Sequence, residues 1–331
     1  MPYQPSLNSV HVDAALTNFS VAYVQSEDAF VAGQVFPVMP VEHKSDKFFT
    51  YQLDAYLRAA GAQVPYGTEA PRGGLVLSTD SYDVGMPKRW AQDITPDIRA
   101  NADAALSDID QQVAAQVMRA LLIGREVDFV TNYMSTGVWG TDMIGGTNFT
   151  VWSNQAGSDP IYDVDTGKTT VLQNTGMEVN TMTVAYNVHQ ALRRHPLILE
   201  RIKYGGGPAN PALVTPQMLA AVFEVERYIV AKSVQVTSAE GQPITTGFVV
   251  GNDVLLTHSA RSPGIMTPSA GFNFVWSALT GVNNLGIAAY RYPMPQLGIA
   301  ANGATERVEG TYAYAMKVTG KPLGYFLHAA V

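Results

Sequence analysis

The chain has 331 residues and a formal net charge of -7; 47% of its residues are hydrophobic, 15% are charged and none is cysteine. The lack of cysteine excludes disulfides, thiol nucleophiles and thiolate metal sites. The charged fraction is low beside the roughly one quarter typical of soluble domains, which indicates a folded chain whose surface is partly covered by neighbouring subunits.

Membrane insertion and tight DNA binding are both disfavoured by the sequence. The first residues, MPYQPSLNSV, lack the basic and apolar segments of a signal peptide, and no run of about 18 apolar residues predicts a membrane span. A protein that grips nucleic acid needs a basic stripe. Here the basic clusters are only the pairs Lys88-Arg89 and Arg193-Arg194. This pattern still allows the protein to enclose DNA without sequence-specific binding.

Residues 1–45 are predicted to form an irregular arm because prolines interrupt them. The arm is nevertheless rich in large apolar side chains, among them Phe19, Tyr23, Phe30 and Phe36. Such an arm needs a surface on which to lie. The sequence leaves open whether that surface belongs to the same chain or to a neighbour.

Two strands joined by a long loop are predicted next. The aromatic stretch 47–53 and the alternating stretch 75–85 favour strands. The connecting residues 59–74 are mainly glycine, alanine and proline. We therefore expect an extended hairpin that projects from the body of the protein and packs on something else, because a lone hairpin is poorly stable.

A long helix is predicted over residues 107–134. Ser107 and Asp110 have the spacing of a capping box, and apolar residues then recur at helical intervals, from Ile109 through Val117 to Leu121. About 28 residues at 1.5 Å each would span about 40 Å.

The second half of the chain alternates between predicted helices and strands, which indicates an α+β fold. Residues 135–180 have no readable pattern. Helices are expected at 188–194 and from Thr215-Pro216 to Phe223, where threonine caps and proline occupies the first turn. Strands are expected at 181–185, 228–236, 246–250, 253–258, 307–318 and 323–329.

No motif for catalysis, cofactor binding or metal binding stands out. The six histidines are scattered without zinc-site spacing, and Gly205–Gly207 lacks the pattern of a phosphate loop. The stretch Asp163–Gly167 begins like a calcium loop but has its glycine at the fifth position instead of the sixth, so we interpret it as a turn. We therefore predict a protein that is not an enzyme and has no cofactor.

Three stretches of the chain, taken in order, resemble the major capsid proteins of tailed bacteriophages with the Hong Kong 97-type fold. They are Leu16–Val38 with the strand at Lys47–Tyr51; Gly67–Arg72 through Ile94, Arg99–Asp103 and Leu121–Glu126; and Asn180–Thr183, Ala191-Leu192, His195-Pro196, Arg201–Tyr204 and Tyr228–Val236. Each piece is weak alone, and the shared order carries the resemblance.

The resemblance implies a division of the chain into the parts of that fold. Residues 1–45 would be the N-terminal arm, 46–92 the extended loop, and 93–180 the peripheral domain, with its long spine helix at about 107–134. Residues 181–295 would form the axial domain, and the strands in 296–331 would return to the peripheral domain. Glu69 and Arg72, at the expected loop tip, are candidate contacts between subunits.

The resemblance also implies partners and a location. The subunit would assemble with itself into hexamers and pentamers of an icosahedral head that encloses double-stranded DNA in the virion, after assembly in the host cytoplasm. A portal, a separate scaffold protein and a decoration protein would be further partners.

Three alternatives remain at this point. The first is the shell of an encapsulin-type nanocompartment, which shares the fold. The second is an enzyme with a dispersed site, for instance at His189 or His258. The third is another virion protein, such as a tail-tube or decoration subunit.

Overall fold

The structure is a computed structural model that describes residues 27–51, 57, 59, 64–69, 72, 77–96, 98, 109–205, 214–264, 267–278, 287–294 and 305–331. Within these ranges the helices are α1 (Ala32–Val35), α2 (Ile109–Tyr133), α3 (Pro160–Thr175), α4 (Tyr186–Arg194), α5 (Pro196–Gly205) and α6 (Pro216–Val222). The strands are β1 (Val38–Val41), β2 (Ser45–Tyr51), β3 (Leu77–Asp83), β4 (Lys88–Ile94), β5 (Thr141–Ile144), β6 (Thr181–Ala185), β7 (Arg227–Ala231), β8 (Val234–Val236), β9 (Thr246–Phe248), β10 (Val254–Thr257), β11 (Gly271–Trp276), β12 (Ile287–Met294), β13 (Thr305–Tyr312), β14 (Tyr314–Val318) and β15 (Gly324–His328). No helix in this part of the chain is both long enough and apolar enough to cross a membrane.

The largest sheet has the strand order β5-β15-β10-β6-β7. Strand β10 is antiparallel to both of its neighbours, whereas the outer pairs β5–β15 and β6–β7 are parallel. Every residue of β6 and β10 is buried, as expected for strands that are covered on both faces. Helices α3, α4 and α6 pack against this sheet or its connections, so it forms the centre of the main hydrophobic core.

Helix α2 confirms the predicted long helix. It has 25 residues and so extends over about 37 Å. It packs across β13 and β4, which belong to a sheet of order β12-β13-β4. At Gly310 of β13 an added Cβ would lie 2.6 Å from Val117 Cγ1 and 2.7 Å from Leu121 Cδ1. A glycine at this position therefore lets the helix approach the sheet closely.

The predicted extended hairpin is confirmed as the antiparallel pair β2–β3, with Ser45 opposite Asp83 and Tyr51 opposite Leu77. Its base lies on a third sheet, in which β1 is parallel to β11 and β11 is antiparallel to β14. This sheet places β1, the first described strand of the chain, beside β11 from its last third. It thus joins the N-terminal segment to the body of the subunit.

The turn predicted at Asp163–Gly167 is wrong, because these residues lie inside helix α3. The carboxylate of Asp159 caps the helix by accepting the backbone N–H groups two and three residues on, each at 3.1 Å. Pro160 occupies the first turn, and Gly176 ends the helix in the left-handed conformation with φ 71°.

Gly167 has a packing role in α3. A Cβ at this position would lie 2.8 Å from Leu256 Cδ1 and 2.9 Å from Tyr325 Cδ1. The glycine that suggested a turn instead permits close contact between the helix and the central sheet.

The predicted elements of the second half are largely confirmed. Strand β6 matches 181–185, and α6 begins after Thr215, whose hydroxyl accepts the backbone N–H of Met218 at 3.3 Å. The expected strand at 228–236 is divided into β7 and β8, and the one at 307–318 into β13 and β14. Strand β13 lies beside α2, whereas β15 lies between β5 and β10 in the central sheet. The division into four structural parts stays a prediction.

Candidate assembly surfaces

Glu69 and Arg72, the predicted contact residues, lie next to each other in the loop between β2 and β3. Arg72 Nη2 donates to Glu69 Oε1 at 2.9 Å, and the two side chains are 82% and 80% exposed for Glu69 and Arg72, respectively. An exposed pair of this kind adds little to the stability of the subunit, about 0–1 kcal/mol. Its charges are therefore open to a partner.

The loop tip beside this pair presents an aromatic side chain. Residues 65–68 form a tight turn in which the backbone N–H of Thr68 donates to the Pro65 carbonyl at 3.2 Å. Gly67 adopts φ 90°, a conformation that favours glycine at the third turn position. The turn leaves the Tyr66 side chain fully exposed.

Large apolar side chains are also exposed on the hairpin and on the strand that follows it. They are Phe49, Met86 and Trp90. Scattered exposed apolar residues are ordinary. Phe49 lies on the hairpin, whereas Trp90 lies on β4 of another sheet, and each is a candidate for contact with another protein. In the sequence, such an exposed residue is indicated by an apolar side chain at a position where alternation predicts a polar one, as at Phe49 beside Phe48.

The base of the hairpin is fixed to the body by aromatic contacts and one ion pair. Tyr82 stacks on Phe274, and Phe48 lies 5.6 Å from the same ring. Lys317 Nζ contacts Asp80 Oδ1 at 2.5 Å, and this hydrogen bond lowers the pKa of Asp80. The hairpin is thus anchored at its base, and Tyr66, Glu69 and Arg72 in the loop beyond its strands are exposed.

The N-terminal segment that precedes β1 lies on its own subunit. Phe30, Val31, Val35 and Phe36 are all buried, and Phe36 makes edge-to-face contacts with Phe129 of helix α2. This settles, for residues 30–36, which surface the apolar arm covers. Phe19 and Tyr23 lie outside the described residues.

A second exposed apolar surface lies on the short hairpin β8–β9. Val236 and Ile244 are exposed, and Phe248 is partly exposed while it packs on Tyr186 of helix α4. This hairpin has only three paired positions, so it gains little stability from its own hydrogen bonds. Strands were predicted here from the sequence, but the exposed surface was not.

His189 and His258 each contact a group of the same chain. His189 contacts the Tyr228 hydroxyl at 3.1 Å, and burial, together with the charges of Arg193 and Lys232, lowers its pKa to about 4. His258 Nδ1 contacts a backbone carbonyl, that of Glu178, at 2.7 Å.

Two further histidines make local contacts. His195 Nε2 lies 3.1 Å from Ser158 Oγ, and burial lowers its pKa. His328 Nδ1 lies 2.8 Å from Asp253 Oδ1, and the same oxygen accepts the backbone N–H of Ala329 at 2.9 Å. The second pair closes the C-terminal end of β15 against the loop before β10.

Acidic groups do not converge on a metal site in the described part of the chain, where no cluster of three potential ligands occurs. Asp163 accepts the indole N–H of Trp152 at 2.8 Å, and burial raises its pKa.

The cations of the Lys88-Arg89 pair face acids: Lys88 contacts Asp128, and Arg89 lies 3.6 Å from Glu309.

Comparison with known proteins shows what the chain is similar to. No family model matches it. The chain is 26% identical to the major capsid protein of Burkholderia phage BcepMu over 235 residues, which are 67% of this chain and 69% of that protein.

Several solved structures share the fold of this chain along nearly its whole length. A phage-related protein of Bordetella bronchiseptica RB50 has a TM-score of 0.65 and 21% identity over 96% of this chain and 97% of that one. The capsid of cyanophage P-SCSP1u has a TM-score of 0.58 and 12% identity, covering 98% of each chain. The SrpI encapsulin of Synechococcus elongatus PCC 7942 has a TM-score of 0.53 and 13% identity over 97% and 96% of the two chains.

These likenesses define the class of protein. The chain has the mixed helix and sheet fold of Hong Kong 97-type shell subunits, which phage capsids share with encapsulins. The resemblance to tailed-phage major capsid proteins that was drawn from the sequence is confirmed by the curated relative and by the phage structures.

Proposed function

We infer that the protein is the major capsid protein of a tailed phage, a structural subunit of the virion shell. The observation that carries this inference is the combination of a curated relative that is itself a major capsid protein with a capsid fold that extends over the chain. The exposed apolar residues and the low charged fraction support it, because a subunit of a closed shell covers much of its surface with copies of itself.

The parts of the structure can be assigned to roles on this basis. Residues 1–45 act as the arm, 46–92 as the extended loop, 93–180 as the peripheral domain and 181–295 as the axial domain. The final segment, 296–331, contributes β13 beside the spine helix α2 and β15 to the central sheet. Glu69 and Arg72 act as contacts between subunits at the loop tip.

Assembly through many weak contacts fits this architecture. The subunits form hexamers and pentamers, and these close into an icosahedral head around double-stranded DNA. Each contact through an arm or loop is weak, but later contacts form at high effective concentration and so add up. A separate scaffold protein, a portal and a decoration protein are the expected partners, and assembly takes place in the host cytoplasm.

An encapsulin-type shell is the second candidate, because the SrpI encapsulin shares the fold. The content of the particle distinguishes the two functions. A phage head encloses DNA, whereas a nanocompartment encloses a cargo protein. The curated relative favours the phage head.

The test is negative-stain electron microscopy of the purified chain, alone and with a co-expressed scaffold protein from the same genome. Closed shells, or rings of five and six subunits, support the proposal. Monomers or dimers under every condition contradict it. Nuclease-resistant nucleic acid in particles from infected cells then supports the phage head over the compartment.

A further inference from the structure

A carboxylate in the long helix binds the backbone of the N-terminal segment. Both oxygens of Glu126 accept the backbone N–H of Val31, at 2.9 and 3.0 Å. One of them also accepts the N–H of Ala32, at 2.9 Å. The hydroxyl of Ser233, just after β7, donates to Glu126 at 3.3 Å. Three separate parts of the chain therefore meet at one side chain.

Burying the Glu126 carboxylate costs free energy unless the N-terminal segment is in place. The Glu126 side chain is fully buried, and a buried carboxylate is stabilised only when it is hydrogen-bonded. The N–H groups of Val31 and Ala32 stand at the start of the short helix α1, so the helix itself gives them no acceptor. The carboxylate supplies acceptors, and the N-terminal segment supplies donors. If the two are separated, both must form their hydrogen bonds with water.

The backbone carbonyls of the same segment also accept hydrogen bonds. Arg227 Nη1 donates to the Gln34 carbonyl at 2.9 Å, and Ser259 Oγ donates to the Val35 carbonyl at 2.6 Å. Arg125, the neighbour of Glu126, lies so close to Gly33 that an added Cβ would be 2.9 Å from its Nη2. The segment is thus bound through its donors, its acceptors and its backbone surface.

We propose that Glu126 is a positioning residue that fixes the register of residues 31–36 against helix α2, and that uniform assembly with copies of this chain requires this register. This inference rests on the proposed function as a shell subunit. Without the carboxylate, the hydrophobic burial of Phe30 and Phe36 would still hold the segment on the body of the subunit. Its register would, however, no longer be fixed by hydrogen bonds to α2.

Two variants separate the hydrogen bonds from the packing. Glu126→Leu keeps a side chain of similar size but removes every acceptor. Glu126→Gln keeps one oxygen, in the place of Oε2, that accepts both N–H groups. Its NH2 group takes the place of Oε1, so the second acceptor of Val31 and the acceptor of Ser233 are lost. Thr131→Ala, at an exposed position of the same helix, is the matched control.

The first readout is amide hydrogen exchange in the purified full-length subunit. With Glu126→Leu we expect exchange at Val31 and Ala32 to be faster by about tenfold or more, because hydrogen bonds to a charged group are lost. The amides of β10 should keep their protection, which shows that the body remains folded. Glu126→Gln should stay within about threefold of the wild type, and Thr131→Ala should match it. Unchanged exchange at Val31 and Ala32 in Glu126→Leu would overturn the proposal.

The second readout is the uniformity of shells in electron micrographs. Glu126→Leu should give unassembled subunits or particles of irregular size, and Glu126→Gln should restore uniform shells. Uniform shells from Glu126→Leu would overturn the positioning role even if exchange were faster. If the wild-type chain forms no shells, the proposed function fails, and the exchange experiment still decides whether Glu126 holds the segment.

Discussion

The ring of Tyr82 in β3 stacks on the ring of Phe274 in β11, with centroids 4.5 Å apart and planes 10° apart. Both side chains are buried, and the Tyr82 hydroxyl donates to the His43 carbonyl at 3.2 Å. This contact joins the projecting hairpin to the body of the subunit. The position of the loop in a shell therefore depends on a small aromatic cluster at its base.

Tyr82→Ala should loosen the hairpin. Removing a buried ring typically lowers the free energy of unfolding by about 3 kcal/mol, whereas Tyr82→Phe, the matched control, should cost only about 1 kcal/mol because it loses one hydrogen bond. Urea unfolding measures the two costs, and limited proteolysis of the native chain reports on the hairpin. Equal stability of Tyr82→Ala and the wild type would show that the stacking does not anchor the loop.

Gly324→Ala should destabilise the subunit. Gly324 opens β15, and a Cβ there would lie 2.0 Å from the Trp139 ring, which is rigid and buried. Overpacking of this kind costs about 1–3 kcal/mol. Gly137 has a positive φ, so Gly137→Ala is a poor control. The control is Gly251→Ala, because nothing lies within 4 Å of the added atom. Thermal unfolding should show a loss for Gly324→Ala that is clearly larger than for Gly251→Ala.

The stability of the subunit should depend on pH through Glu126. Burial raises the pKa of Glu126 above its ordinary value of 4.5, against the hydrogen bonds from Val31 and Ala32 and the charge of Arg125, which lower it. The folded chain therefore keeps this proton to higher pH than the unfolded chain does. The stabilising contribution is complete below about pH 4.5 and is lost as the pH rises through the folded pKa.

The measurement is the free energy of unfolding of the wild type and of Glu126→Gln between pH 4.5 and 8. The difference between them, wild type minus variant, should fall as the pH rises, because glutamine does not titrate. Asp28 lies close to Val31 in the sequence, and Lys232 precedes Ser233. Both charged residues are exposed, and both are present in the wild type and in Glu126→Gln. A difference that is constant or that rises with pH contradicts this account of the carboxylate.

Charge reversal at the loop tip should affect assembly and leave folding unchanged. Because Glu69 and Arg72 are exposed, Glu69→Lys or Arg72→Glu should change the free energy of unfolding by less than about 0.5 kcal/mol. The yield or salt resistance of shells should fall if these charges contact a neighbour. Shell yield and stability equal to those of the wild type in both variants would remove the two residues from the list of contacts.

Mature particles should contain no covalently joined subunits. The resemblance to Hong Kong 97-type capsid proteins implies that a cross-link, where one forms, joins a loop lysine to an asparagine of a neighbour, but this sequence has no lysine between Lys47 and Lys88. A boiled denaturing gel should therefore show one band at the 35.6 kDa monomer mass. A ladder of higher bands would contradict the prediction.

Local signals in the sequence predicted much of the fold. Helix α2 was predictable from its apolar spacing, and α6 from the Thr215 cap. Helix α3 was missed because Asp163–Gly167 was interpreted as a turn, although Asp159, Pro160 and Gly176 are ordinary boundary signals. Strands β4, β11 and β12 were also missed, and β4 and β11 pair with strands that are far away in the sequence.

The role of Glu126 could not be predicted from the sequence. Its contacts lie 94 to 107 residues away, and a glutamate in a long helix is expected on the solvent side. The Glu69–Arg72 pair, by contrast, is a local contact three residues apart, which spacing alone can suggest. Long-range polar contacts in the core are the part that required the structure.

The central claim, that this chain builds a phage shell, is tested most directly by electron microscopy of particles assembled from the purified chain with a scaffold protein. The account predicts closed icosahedral shells made of five- and six-subunit rings. A chain that remains monomeric or dimeric under every assembly condition would contradict it.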